Sequence, residues 1–183
     1  MKKTASILAL VATLFTTGAM AQGYVSADAG VSSVDLECDG AATCDDSGTT
    51  FRLTGGYGFY DNLSAELAYV DYGKAKAADP GVSLSMRVSG FQLGLAYRLP
   101  LADAWGLNFR AGIASLKTKA DATFEGLSGS TSETNTQPYF GIGADFALSK
   151  TLKLQAGYEM TKAELEGEKT DLSALTVGLR FDF

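Results

Sequence analysis

The side chains able to do chemistry in this 183-residue chain are few, and their types exclude most catalytic schemes. There is no histidine, which removes imidazole metal ligands, a Ser-His-Asp triad and a histidine base together. The only cysteines, Cys38 and Cys44, lie close together in "CDGAATCDDSG". In an oxidising compartment such a pair is expected to form a disulfide that closes a small loop. A metal site built from these thiolates or from Asp39, Asp45 and Asp46 is the alternative. Nothing nearby completes a tetrahedral set, and the acids lack the spacing of an EF-hand. "GIGADF" and "GGYGFY" look superficially like phosphate-cradling loops, but no helix follows either one, so they read as strand glycines. No catalytic residue, metal or cofactor is expected.

What remains is a set of charges with a fixed phase: Asp28, Arg52, Glu66, Arg98, Arg110, Asp145, Lys153, Glu159, Arg180 and Asp182. Each falls opposite the apolar residues of a stretch that alternates with period two, the pattern of a β-strand. "FRLTGGYGF" sets Phe51, Leu53, Tyr57 and Phe59 against Arg52 and Thr54. "GFQLGLAYRL" sets Phe91, Leu93, Leu95 and Tyr97 against Gln92 and Arg98, and "LKLQAGYEM" sets Leu152, Leu154 and Tyr158 against Lys153 and Glu159. Eight such stretches can be read, near residues 24–31, 51–59, 63–69, 90–99, 105–113, 139–148, 152–160 and 176–183.

Three features choose among the sheets this could build. The polar phase carries five basic and five acidic residues. The apolar phase carries charge only at Asp71 and Arg87, near strand ends. A Lys or Arg facing lipid costs about 2–4 kcal/mol at the bilayer midplane and little near the interface, and this distribution fits that cost. Glycines such as Gly56, Gly94, Gly112, Gly143 and Gly178 crowd the polar phase while large residues fill the apolar one, as in a narrow barrel with little interior room. Finally, the connections alternate. Ser32–Thr50, Gly73–Ser83, Leu116–Thr136 and Thr161–Asp171 are long or medium; Tyr60–Asn62, Pro100–Ala104 and Ser149–Thr151 are short. An even-stranded barrel with short periplasmic turns and longer outer loops has this rhythm. Aromatics near the turns (Phe59, Tyr60, Tyr97, Trp105, Phe146, Phe181, Phe183) would form one interfacial belt. Tyr69, Tyr139, Phe140 and Tyr158 would form the other. The fold class is therefore all-β, an eight-stranded antiparallel up-and-down transmembrane barrel.

Residues 1–21 read as a secretory signal peptide: a basic "MKK", a short apolar run and the small residues Ala19 and Ala21 before cleavage. The barrel domain would then be residues 22–183. Loss of Lys2 and Lys3 takes the net charge from −6 to −8. An acidic chain is a poor polyanion binder, so no nucleic-acid partner is expected.

The stretches "GYGFYDNLSAELAYVDYG", "LGLAYRLPL", "PYFGIGADFALSKTLKLQAGYE" and "LTVGLRFDF" resemble the small eight-stranded outer-membrane barrels of Gram-negative bacteria. The nearest likeness is to the transmembrane domain of OmpA and to OmpX-like proteins. The resemblance implies a cell outer-membrane location, with the lipid bilayer, lipopolysaccharide and the outer-membrane assembly machinery as partners. It also implies that Leu179, Phe181 and the terminal Phe183 act as an assembly signal. No peptidoglycan-binding domain follows the barrel, so cell-wall anchoring is not expected.

Inside a narrow lumen the charges must pair, because an unpaired buried charge costs several kcal/mol. Arg52, Arg110 and Arg180 face Asp28, Glu66, Asp145 and Glu159 as a candidate network that holds the barrel shut or carries a proton or ion path. The expected role is structural or surface-interacting, acting through the outer loops. One of these, "LKTKADATFEGLSGSTSETNTQ", is Ser/Thr-rich and would meet a surface partner or serve as a solvated cap. A narrow passive channel or hydrophobic-molecule conduit is the alternative. A lipid A-modifying enzyme would need histidine. A lipocalin-like soluble carrier would turn its apolar phase inward.

Overall fold

The structure, a computed structural model, describes residues 23–34, 43–45, 47–79, 82–124, 127–165 and 168–183. The strands in these segments are β1 (Gly23–Val34), β2 (Thr43–Asp45), β3 (Ser47–Tyr60), β4 (Leu63–Asp79), β5 (Val82–Pro100), β6 (Trp105–Phe124), β7 (Leu127–Ala147), β8 (Leu152–Leu165) and β9 (Glu168–Asp182). All but the three-residue β2 belong to one antiparallel meander. Its last strand returns to its first, with Tyr24 opposite Asp182 and Val34 opposite Leu172. Pairing β9 with β1 removes the sheet edge, so the eight long strands close into a barrel. β2 adds to the outer end of β4, with Cys44 opposite Ala77.

The chain end is held by this closure. The Phe183 amide donates to Gly23 O at 2.9 Å, and the Gly23 amide donates to Phe183 O at 3.2 Å. The Phe183 ring lies beside that of Phe181, their centroids 6.4 Å apart.

The two faces are sorted as lipid requires. Phe91, Leu93, Leu154 and Val177 point outward and are 42–60% exposed, whereas Glu66 is 1% exposed and Arg52 5%. An outer wall this apolar along every long strand would aggregate in water; against acyl chains it is at home. The short turns sit at one end. At Asp61–Asn62, Asn62 takes a positive φ of 60°, which asparagine tolerates better than most residues.

At the other end the structure departs from the expected boundaries. Most of what reads as outer loop is hairpin arm. β6 and β7 stay paired out to Phe124 opposite Leu127, and β8 and β9 out to Leu165 opposite Glu168. Beyond the bilayer both faces meet protein or water, so the apolar alternation fades while the backbone ladder continues. There the inner face inverts as well. Val34, Val70, Tyr72, Val88, Ala114, Leu116, Tyr139, Ala163, Leu172 and Ala174 form one buried apolar cluster. Tyr139, expected in the outer aromatic belt, belongs to this cluster and is fully buried. Its neighbour Phe140 faces out, and the strand period turns Tyr139 inward.

Besides a register shift between Gly58 and Tyr60 at the turn end, two irregularities break the pattern in the outer half. β7 pairs with β8 only from Phe140 opposite Met160 to Ala147 opposite Lys153. The ladder ends just inside Pro138, which has no N–H to give. Beyond it side chains bridge the seam: Thr161 Oγ1 donates to Pro138 O at 3.0 Å and Gln137 Nε2 to Glu164 Oε2 at 2.6 Å. In β4 the register slips between Asp71 and Lys74, at Gly73 with φ 80°. The extra residue is a bulge. It turns Lys74, which unbroken alternation would aim inward, onto the outer wall.

Candidate functional site: the sealed lumen

The inward phase of the strands converges on a three-tier arrangement. Near the turn end, Arg98 grips Asp145, with Nη2 2.7 Å from Oδ2 and Nε within 3.1 Å of both oxygens. Asn108 Nδ2 donates to the same carboxylate at 2.8 Å. Beside it Asp182 pairs with Lys153 at 2.8 Å and with Arg180 at 2.7 Å.

The middle tier is built around Glu66. It pairs with Arg110 at 3.2 Å and Arg52 at 3.7 Å, and the Tyr24 hydroxyl donates to its Oε1. The Arg180 guanidinium stacks on the other side of this tyrosine, 3.5 Å from the ring centroid, a cation–π contact. Gly56 makes room for it: a Cβ there would lie 2.1 Å from a Tyr24 ring atom. Asp28 is met by neutral donors, Gln155 Nε2 at 2.6 Å and Ser26 Oγ at 3.1 Å.

Towards the outer end, Arg52 also pairs with Glu159. Tyr72 OH donates to Glu159 Oε1 at 2.7 Å and Gln92 Nε2 to the same oxygen at 2.6 Å. Above these lies the apolar cluster.

Of the sequence-derived lumen residues, Arg52, Glu66, Arg110 and Glu159 meet in one connected set. Asp145 is held by Arg98 instead, Arg180 by Asp182 and Tyr24, and Asp28 by amide and hydroxyl groups. Sequence reasoning missed the tyrosines Tyr24 and Tyr72, although each has its signal. Tyr24 shares the phase of Ser26 and Asp28, and Tyr72 shares that of Glu66 and Val70. Cys38, Ala19 and Ala21 lie outside the described residues, as do Asp39 and Asp46; of Cys44 and Asp45 only the backbone is described. Leu179 and Phe181 face outward, and Phe183 closes against Gly23.

Outside the apolar band, Asp71 pairs with Arg87 and accepts the Gly73 amide at 2.9 Å. Partial burial works to raise its pKa. The Arg87 and Gly73 hydrogen bonds, with the charges of Arg87 and Lys74, outweigh that and hold the carboxyl below its usual range.

A closed antiparallel barrel with an apolar exterior and a salt-bridged interior matches the family model described as outer membrane protein beta-barrel domain, over residues 7–183. The chain belongs to that family. Its place is therefore an outer membrane, and its outward leucines and phenylalanines face lipid. It is similar, at 29% identity over 96% of this chain and 98% of the other, to an uncharacterized protein of Haemophilus influenzae. Among solved structures, Neisserial surface protein A shares the fold with a TM-score of 0.63 at 17% identity, covering 88% of this chain and 97% of that one. Ail, the attachment invasion locus protein of Yersinia pestis, gives a TM-score of 0.57 at 20% identity, covering 87% and 99%. Ail has also been solved in complex with the heparin analogue sucrose octasulfate.

Proposed function

We propose that this barrel is a non-catalytic scaffold of the Gram-negative outer membrane that presents its outer hairpins to a surface partner. It would be exported by a signal peptide spanning residues 1–21 and docked for assembly through Leu179, Phe181 and Phe183. The observation that carries this reading is the double seal of the lumen. A charged network fills the middle of the barrel, and an apolar cluster of which Ala114, Tyr139, Leu116 and Leu172 are 0–2% exposed caps it. A solute path would have to break ion pairs such as Arg52–Glu66–Arg110 and then part that cluster. Eight strands leave an interior only wide enough for side chains. What stays accessible is the outer rim, including the Ser/Thr-rich arm of β7 with Ser130, Thr131, Ser132 and Thr134 exposed. That the similarly folded Ail has been crystallised with a sulfated glycan analogue supports a rim that meets surface ligands.

Planar-bilayer recording separates this from the channel alternative. The scaffold reading expects no resolved conductance steps from the folded protein. Reproducible steps that vanish when the lumen is blocked would replace it with a narrow passive channel.

A further inference from the structure

One lumen carboxylate has no cation. The inward phase carries five acids (Asp28, Glu66, Asp145, Glu159, Asp182) and five bases (Arg52, Arg98, Arg110, Lys153, Arg180), but they do not pair one to one. Asp182 takes both Lys153 and Arg180. Glu66 takes Arg110 and shares Arg52 with Glu159. Arg98 is committed to Asp145. That leaves Asp28, 5% exposed, without a salt bridge among the described residues.

The register offers Asp28 two cations, and both turn elsewhere. Arg52 lies opposite Asp28 on β3, and Arg180 lies opposite Ser26 on β9. Arg52 gives Nη1 to Glu159, brings Nη2 within 3.7 Å of Glu66 and donates from Nε to Thr54 Oγ1 at 3.1 Å. Arg180 gives Nε to Asp182 and lays its guanidinium on the Tyr24 ring. Asp28 keeps two neutral donors, Gln155 Nε2 on Oδ1 and Ser26 Oγ on Oδ2, where an ionised carboxylate has about four acceptor positions. The bond from its nitrogen tethers the Gln155 amide beside this carboxylate. Its oxygen, Oε1, is buried and has no hydrogen-bond partner; Gln155 as a whole is 4% exposed. Gly178, opposite Asp28 on β9, keeps the space open, since a Cβ there would lie 2.3 Å from Asp28 Oδ1.

We propose that the Asp28 carboxylate, Gln155 Oε1 and Ser26 Oγ hold an alkali cation, sodium or potassium, inside the barrel. The ligand chemistry selects the class. Carboxylate, amide and hydroxyl oxygens suit hard cations. The softer metals have nothing to recruit here: the chain has no histidine, and no cysteine falls within the eight long strands. One carboxylate, with the Arg52 side chain on the neighbouring strand, balances one positive charge and not two. The cation turns Gln155 Oε1 from an orphan into a ligand and gives Asp28 the countercharge that burial demands. The turn-end mouth is lined by Arg98, Lys150, Lys153 and Arg180, which repel a cation, so the ion is taken up as the sheet closes. Folding is thereby linked to the alkali-cation concentration. The ion site stands whether or not the outer rim meets a partner.

The test is urea unfolding of the full-length protein in phosphatidylcholine vesicles, at fixed ionic strength, with the salt made up from sodium, potassium or choline chloride. Above the dissociation constant of the site, each tenfold rise in the preferred alkali cation should raise the folded-to-unfolded ratio about tenfold. Choline, too large for the site, should give no rise. A rise with sodium or with potassium supports the proposal, and the stronger of the two gives the size of the site. Asp28→Asn should abolish the dependence, whereas Asp71→Asn, outside the lumen, should keep it. Equal stability of the natural protein in all three salts overturns the proposal, as does a folded Asp28→Asn variant whose dependence is undiminished. If Asp28→Asn does not fold, Gln155→Met decides. It keeps the volume and removes Oε1, so the dependence should set in only at higher alkali-cation concentration; an unchanged onset overturns the site.

Discussion

Glu66 shows why the interior charges are locked together. One carboxylate takes two guanidiniums and a phenol while 1% exposed, so removing it strands Arg110 in a space with little water and leaves Arg52 with Glu159 alone. Breaking a buried pair by deleting one partner costs about 3–5 kcal/mol. Glu66→Ala is therefore expected to lower the urea midpoint of the barrel refolded in vesicles sharply, followed by the mobility difference between unheated and boiled samples. Loss of Asp145 should cost less, since the Arg98 facing it is partly solvated. At Asp71 the sign of the pH effect is set by its lowered pKa. Its pairing with Arg87 contributes above the unfolded carboxylate range and fades as pH falls through the lower folded value. Its partner Arg87 is half exposed to solvent, which screens the pair, so the effect is small. An Asp71→Asn variant should show a flatter acid limb in the same unfolding assay than the natural protein.

Among the elements, β4 and β7 carry the irregularities with consequences. The β4 bulge depends on Gly73, whose φ of 80° suits few side chains and whose Cβ would come within 2.5 Å of Thr49 O. Gly73→Ala should destabilise the barrel by about 1–2 kcal/mol from the left-handed backbone alone, with the carbonyl contact adding to it. Parity argues that the variant would also lose the outward placement of Lys74. In β7 the seam predicts a gradient. Amides from Thr131 to Gln137 have a ladder on β6 alone, whereas those from Gly141 to Phe146 have strands on both sides. Hydrogen exchange followed by NMR in micelles should show the first group exchanging markedly faster. Uniform protection along β7 would mean that the ladder continues past Pro138.

For the whole molecule, the governing fact is that polarity inverts twice. Within the bilayer the barrel is apolar outside and charged inside; beyond it the inside becomes apolar and the outside polar. The alternation of strands 24–31 to 176–183 made the first arrangement legible, along with the closed barrel, its eight long strands and the phase of the charges within the apolar band, because a period of two under lipid on one side leaves one solution for each residue. It did not make the second legible. Val34, Val88, Leu116 and Leu172 sit in stretches whose outer faces are polar or mixed, so nothing in their spacing distinguishes a hairpin arm from a loop, and backbone pairing beyond the membrane is decided by neighbours distant in sequence.

The same division holds for partners. That Arg52 and Glu66 lie in the lumen follows from local period alone, since each side chain must choose one of two faces. That Arg52 reaches Glu159 while Arg98 takes Asp145, and that a single bulge at Gly73 lines Lys74 up with Arg87 and Lys119, follows only from the register of the closed sheet, because a one-residue slip reassigns every contact across it.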